Sequence, residues 1–221
     1  MGRLGTVGVV LLVAVVFVGC SHERKHKGKP ITQLTITTTS LPEGEVGVAY
    51  PATTLAASGG KTPYSWSDVN NTLQTYGLTL DASTGEITGT PTQATPAGGD
   101  TVTIEVTDAN GKTAQKDFTL VIYPELQITT TSLPAGYDGQ TAYSATLIAT
   151  GGTGTYTWSI ANGALPPNLD LDSSTGEISG DIASGASANS PYDFTVEVTD
   201  GIGTKQVAVS YTHLRSPRDR G

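Results

Sequence analysis

Apolar and polar residues alternate along most of the chain. In the segment "VTIEVT" (102–107), Val102, Ile104 and Val106 alternate with threonine and glutamate. A period of two is that of a strand with one buried face and one solvent-exposed face. Turn signals such as "DANG" (108–111) separate these segments, and helical periodicity is lacking. The pattern predicts an all-β protein of short strands, typical of a Greek-key β-sandwich.

The sequence contains two similar copies of this pattern. "LTITTTSLP" (34–42) returns as "LQITTTSLP" (126–134), and "LDASTGEITG" (80–89) returns as "LDSSTGEISG" (171–180). A repeat distance of about 90 residues indicates two copies of one domain. We therefore predict two tandem β-sandwich domains, the first at 34–124 and the second at 125–209.

The phrase at 80–89 is interpreted as a turn and not as a catalytic site. Asp81 can accept hydrogen bonds from the backbone just ahead, and Gly85 can supply a positive φ. A turn is needed in each copy of a domain, whereas an active site is usually not.

The two copies join through "VIYPELQI" (121–128), which contains no glycine- or serine-rich spacer. Pro124 stiffens the join. We expect the copies to form a semi-rigid, end-to-end pair.

The first 20 residues have the pattern of an export signal. Residues 7–18 are apolar but too few to span a membrane, which takes about 20 residues. The ending "FVGC" (17–20) resembles a bacterial lipobox, which implies cleavage before Cys20 and lipidation of its thiol. An ordinary signal peptide is the alternative. Residues 21–33 are predicted to be a basic, disordered tether beside the membrane.

Charge narrows the classes of partner. The net charge is −8, and the basic residues between positions 31 and 210 are Lys61, Lys112, Lys116 and Lys205. Such an acidic domain region repels phosphate backbones, so we expect no nucleic-acid binding. The expected location is the cell envelope, with the protein anchored by its lipid and facing the periplasm or the exterior.

Residues 31–210 contain neither histidine nor cysteine. This excludes Ser-His-Asp and Cys-His nucleophiles and histidine zinc sites there, and we expect no enzymatic activity. Trp66 and Trp158 are interpreted as core residues, with sugar stacking as the alternative. Exposed rings at Tyr76, Tyr137 and Tyr156 would favour sugar binding.

The whole set of motifs resembles the bacterial putative-Ig repeats, which are related to dystroglycan-type cadherin-like domains. The motifs are "SLPEGEVGVAY", "GGKTPYSW", "TLDASTGEITG" and "EVTD" with their second copies, and the resemblance covers residues 34–209. It implies extracellular adhesive or spacer modules without enzymatic activity of their own. The first copy lacks the Leu-Pro-Pro element that the second carries at 165–167.

Some members of this resembled group bind Ca²⁺, which takes six to eight oxygen ligands. The candidate ligands are Glu43, Glu45, Asp108, Asn110, Asp138 and Asp200. The alternative is that Asp108 and Asp200 cap turns.

The C-terminal segment differs from the repeats. "VSYTHLRSPRD" (209–219) resembles translated adapter sequence, so residues 210–221 are predicted to be non-native, with the last strand cut short and the natural protein continuing. A genuine basic tail is the alternative. The function expected is adhesion or display at the cell surface, with a protein or glycan ligand. The alternative is a non-catalytic stalk or carbohydrate-binding accessory module of a larger surface enzyme.

Overall fold

The first repeat is built from short strands and one helical turn in a computed structural model that describes residues 32–211 and 214–215. Its elements are β1 (Thr35–Ile36), β2 (Gly44–Glu45), β3 (Thr53–Thr54), β4 (Ala57–Ser58), β5 (Ser65–Asp68), α1 (Thr72–Thr75), β6 (Leu78–Leu80), β7 (Glu86–Gly89), β8 (Asp100–Thr107), β9 (Thr113–Leu120) and β10 (Ile122–Tyr123). The predicted signal peptide, with Cys20, and most of the predicted tether lie outside the described residues.

The second repeat has the same order of strands. Its elements are β11 (Gln127–Ile128), β12 (Gly136–Tyr137), β13 (Tyr143–Thr146), β14 (Ala149–Thr150), β15 (Thr157–Gly163), β16 (Leu169–Leu171), β17 (Glu177–Gly180), a 3₁₀ turn (Ala186–Asn189), β18 (Tyr192–Thr199), β19 (Thr204–Tyr211) and β20 (Leu214–Arg215). The described residues fall in one compact unit.

The strands pair in the same order in the two repeats. In the first, β5, β8 and β9 form one antiparallel sheet and β3, β7 and β6 another. Two pairs complete the repeat, β1 with β4 antiparallel and β2 with β10 parallel. In the second repeat the sheets are β15–β18–β19 and β13–β17–β16, with the pairs β11–β14 and β12–β20.

Each repeat has its own hydrophobic core between its two three-stranded sheets. In β8, Val102, Ile104 and Val106 are fully buried, as the alternation predicts, and in β18 Val196 and Val198 are equally buried. Side chains of the facing sheet, such as Ile87 and Ile178, close the two cores. The prediction of tandem Ig-like β-sandwich domains is confirmed.

Helix α1 departs from the all-β prediction. It lies where the first copy lacks the Leu-Pro-Pro element. The Asp68 Oδ2 atom accepts a hydrogen bond from the Leu73 backbone N–H at 2.7 Å, and Leu73 is buried. A single turn of four residues is too short to show a helical period, so the sequence pattern gave no sign of it.

The recurring phrase is a turn in both copies, as predicted. The Asp81 Oδ1 atom accepts hydrogen bonds from the backbone N–H groups of Ser83 and Thr84, both at 2.8 Å, and from the Ser83 hydroxyl at 2.6 Å. Asp172 makes the same bonds to Ser174 and Thr175. These donors form an Asx-turn that reverses the chain into the next strand.

The glycine of this turn lies against the core tryptophan. A Cβ atom on Gly85 would lie 2.7 Å from Trp66 Nε1, and one on Gly176 would lie 2.8 Å from Trp158 Nε1. Both glycines have positive φ, and both tryptophans are buried. The turn therefore covers the indole edge, and the interpretation of Trp66 and Trp158 as core residues is confirmed.

The last strands of the second repeat extend into the segment predicted to be non-native. β18 pairs with β19 as far as Tyr211, and β20 pairs with β12 as β10 pairs with β2. Strand β19 thus continues to Tyr211, and the truncation of the second repeat stays a prediction. The origin of residues 210–221 stays a prediction, and most of that segment lies outside the described residues.

Within the described residues, no helix has the length and apolar character needed to cross a bilayer.

Candidate functional site

The predicted calcium ligands are spread over separate parts of the two repeats. Asp108 and Asn110 lie at the β8–β9 hairpin, and Asp200 lies at the equivalent β18–β19 hairpin. Glu43 and Glu45 lie at β2, and Asp138 follows β12. In the described part of the chain, no group of three or more histidine, cysteine, aspartate or glutamate side chains is placed to hold a metal ion. Calcium binding stays a prediction.

The hairpin aspartates cap turns. Asp108 accepts hydrogen bonds from the backbone N–H groups of Lys61, Asn110 and Lys112 at 2.8–3.0 Å. The Lys112 N–H is foremost among the donors that hold the Asp108 pKa below its ordinary value. Asp108 therefore caps the β8–β9 turn, as the alternative interpretation expects.

Asp200 has the same role in the second repeat. Its carboxylate accepts the backbone N–H groups of Thr153, Ile202 and Gly203 at 2.6–3.0 Å. Burial acts to raise the Asp200 pKa, but these donors outweigh it, and the pKa lies below its ordinary value.

Asp138 is occupied by a neighbouring loop. Its two oxygens accept hydrogen bonds from the Ser187 backbone N–H and hydroxyl, each at 2.7 Å. The Ser187 hydroxyl is the main cause of the lowered Asp138 pKa. Asp138 therefore ties the β12 loop to the 3₁₀ turn of its own repeat.

Glu45 lies at the junction between the repeats and is fully buried. Its Oε1 atom accepts a hydrogen bond from the Leu126 backbone N–H at 2.8 Å, whereas its Oε2 atom is buried without a donor among the described residues. Burial raises the Glu45 pKa, and the negative charge of Asp200 adds to the rise, while the Leu126 N–H and Lys205 oppose it.

Close packing and an ion pair surround Glu45. A Cβ atom on Gly203 would overlap the Glu45 carboxylate, so only a glycine lets the hairpin approach the carboxylate this closely. Lys205 Nζ lies 2.6 Å from Glu125 Oε1, with both side chains partly exposed. Glu43 is exposed and accepts a 3.2 Å hydrogen bond from the Tyr123 hydroxyl. The two repeats are therefore in direct contact across the join.

A second concave site lies in the first repeat, and sequence reasoning missed it. A cavity of about 220 Å³ is bounded by β5, α1 and β6, with Trp66, Asp68, Asn71 and Thr79 among its lining residues. The Asp68 Oδ1 atom is buried and has no donor among the described residues. The available signal was the first copy's departure from the second at residues 68–77.

The tyrosines proposed as a sugar platform are not alike. Tyr76 is buried, and its hydroxyl donates to Asp100 Oδ2 at 2.8 Å. Tyr156 is half-buried, packs edge-on against Trp158 and donates to the Gly151 carbonyl at 2.8 Å. Tyr137 is 37% exposed. These rings do not form a coplanar exposed surface, which weakens sugar stacking on them.

Comparison with known families supports the repeat architecture. The model of the family described as "Putative Ig domain" matches residues 29–123 and 126–214, one match for each repeat. The chain belongs to the Putative Ig domain family. Ig-like repeat domains are typically extracellular and non-catalytic, and no catalytic family is indicated for the chain. Among curated proteins, none matches the chain.

Solved structures similar to this Putative Ig domain chain include Ig and cadherin fragments. The I-band fragment I67–I69 of titin is 13% identical with a TM-score of 0.47, over 83% of this chain and 66% of the fragment. Mouse cadherin-23 EC22–24 is 15% identical with a TM-score of 0.38, over 83% of this chain and 64% of the fragment. The chain thus spans less than two thirds of either fragment. Likeness at this level says nothing about function.

Proposed function

We propose that the protein is a lipid-anchored cell-surface protein whose two Ig-like repeats serve adhesion or display. The observation that carries this proposal is the direct join between the repeats. Glu45 of the first repeat is buried against the Leu126 N–H and Gly203 of the second. A join of this kind suits a spacer that holds a binding surface away from a membrane.

The leader sequence supports the anchor. Each methylene of an acyl chain on Cys20 would add about 0.8 kcal/mol to the free energy of membrane binding. One acyl chain alone binds a membrane only marginally. The basic residues Arg24, Lys25, Lys27 and Lys29 would add attraction to anionic headgroups, at about 1 kcal/mol each. The lipid and the basic tether together would make a stable anchor.

The variant Cys20→Ala tests the anchor. We expect the wild-type chain to sediment with bacterial membranes and the variant to be found in the soluble or secreted fraction, with Ser21→Ala as the matched control. Unchanged membrane retention of Cys20→Ala would refute the lipoprotein proposal.

The same cells test the adhesive role. Cells that display the wild-type chain should attach to protein- or glycan-coated surfaces, or to one another, more than cells that carry Cys20→Ala. Equal attachment by both would favour the alternative of a non-catalytic stalk or carbohydrate-binding accessory module of a larger surface enzyme.

A further inference from the structure

The cavity of the first repeat is small and polar. It holds about 220 Å³, and its lining residues are Trp66, Ser67, Asp68, Asn71, Leu73, Gln74, Leu78, Thr79 and Leu80. Pockets for drug-sized ligands hold roughly 300–1,000 Å³. The cavity therefore suits a ligand about the size of one sugar ring and not an oligosaccharide.

The Asp68 carboxylate defines what this ligand must offer. Its Oδ2 atom is occupied by the Leu73 N–H at 2.7 Å, but its Oδ1 atom is buried without a donor among the described residues. A buried acceptor that lacks a donor is unfavourable, and bonds from a donor to a carboxylate are stronger than neutral ones. A ligand that reaches the Asp68 carboxylate should therefore present a hydroxyl or ammonium group to it.

Charge and size exclude other ligands. No lysine or arginine lines the cavity, so Asp68 would repel phosphates and sugar acids. A bare Ca²⁺ ion takes six to eight oxygens at about 2.3–2.6 Å, commonly from several carboxylates, and Asp68 is the one carboxylate among the lining residues. The ligand classes that remain for this cavity are neutral polyhydroxylated compounds and their amino derivatives.

The second repeat lacks the carboxylate and the amide at the positions of Asp68 and Asn71, whereas Asp170 stands at the position of Thr79. The strand pairing places Ile160 opposite Val196 where Asp68 lies opposite Ile104, and Gly163 occupies the place of Asn71. Asn71 has a φ of 55°, close to the 78° of Gly163. The left-handed backbone is common to both repeats, but the first holds it with an amide side chain at a position that glycine fills without strain.

We propose that the first repeat binds a single neutral hexose or amino-sugar unit in the cavity between β5, α1 and β6. Asp68 accepts a sugar hydroxyl or ammonium group, and Asn71, Gln74 and Thr79 contact the remaining hydroxyls. This site goes beyond adhesion or display in general and would give the accessory-module alternative a defined ligand class. It does not depend on the lipid anchor.

Binding is tested on the full chain with glucose, galactose, N-acetylglucosamine and glucosamine. Saturation-transfer NMR detects contact, and titration gives the affinity. We expect at least one of the four to bind with a Kd of roughly 1 mM, as for a small ligand with few contacts. Asp68→Asn should weaken binding about tenfold or more, because the charge-assisted bond is lost.

Asp68→Asn and two further variants, Asn71→Gly and Asp170→Asn, separate the effect on binding from any effect on folding. In Asp68→Asn, the amide oxygen of the new side chain can still accept the Leu73 N–H, so α1 should be retained. Asn71→Gly copies the second repeat and keeps the backbone, and it should also weaken binding at an unchanged melting temperature. Asp170→Asn makes the same charge change on an exposed residue of the second repeat and should bind as wild type.

Two results would overturn the proposal. One is the absence of saturation transfer from the protein to any of the four sugars at a sugar concentration of about 10 mM, roughly ten times the expected Kd. The other is wild-type affinity in Asp68→Asn, which would place binding elsewhere on the chain. Neither result depends on Cys20, so failure of this site and failure of the anchor are told apart.

Discussion

At the residue scale, the acidic side chains of the two turns act through local hydrogen bonds. Asp81 and Asp172 each accept three such bonds, with the hydroxyl of Ser83 or Ser174 foremost, and this lowers the pKa of each to about 2. Both carboxylates are exposed, so the donors and not a buried environment hold them ionised.

The variant Asp81→Asn tests the stabilising effect of this turn. Because the folded-state pKa lies below the ordinary value of 3.8, the carboxylate contributes stability above about pH 4, and that contribution is lost as the pH falls toward 2. We expect Asp81→Asn to lower the urea midpoint at pH 7 and to flatten the loss of stability between pH 4 and 2. Asp170→Asn is the exposed control. Parallel pH profiles for Asp81→Asn and wild type would contradict this account.

Local chemistry of this kind was predictable from the sequence. Asp81 and Gly85 act within a few residues of their own positions, so the phrase itself carried the information. The fully buried Val102, Ile104 and Val106 were predictable for the same reason, since a period of two fixes which face is buried.

At the element scale, prediction failed for contacts that the period of the sequence does not encode. Asp68 fixes α1 through the Leu73 N–H, but four residues show no period, so the cavity beside α1 could not be foreseen. The closeness of Glu45 to Gly203 was also hidden, because it arises only when the second repeat docks on the first. Glu45 itself was singled out as a calcium ligand, and its burial was not predicted.

Calcium is the prediction that belongs to the loops between elements. Asp108 and Asp200 already accept backbone N–H groups, so an ion there must compete with these donors. Glu45 is a predicted ligand, and its Oε2 atom lacks a donor among the described residues. We predict that millimolar calcium raises the melting temperature relative to EDTA, since binding to the folded state alone adds about 2.7 kcal/mol at one hundred times Kd. Magnesium is the control for a general effect of divalent cations. Superimposable melting curves in calcium and in EDTA would contradict the prediction of calcium binding.

At the scale of the whole molecule, the junction joins two independent cores through polar groups. Leu126 belongs to the core of the second repeat, and its backbone N–H donates to Glu45 of the first. Since burial raises the Glu45 pKa above 4.5, the folded chain binds the proton of the Glu45 carboxyl group more tightly than the unfolded chain does. The contribution of Glu45 to stability is therefore fully present below about pH 4.5 and is lost as the pH rises through the raised value.

Glu45→Gln tests this coupling between the repeats. The amide oxygen of the variant side chain can still accept the Leu126 N–H, but the variant carries no charge to bury at neutral pH. In EDTA, we expect its melting temperature at pH 7 to equal or exceed that of wild type, and the difference to shrink as the pH falls below about 4.5. Glu43→Gln removes a charge from an exposed neighbour and should show no such pH dependence. If Glu45→Gln instead melts lower than wild type at pH 7, the ionised carboxylate stabilises the junction, through Lys205 or through a bound cation. In that case the negative charge of Glu45 would stabilise the contact between the two repeats, and its burial would not be a net cost.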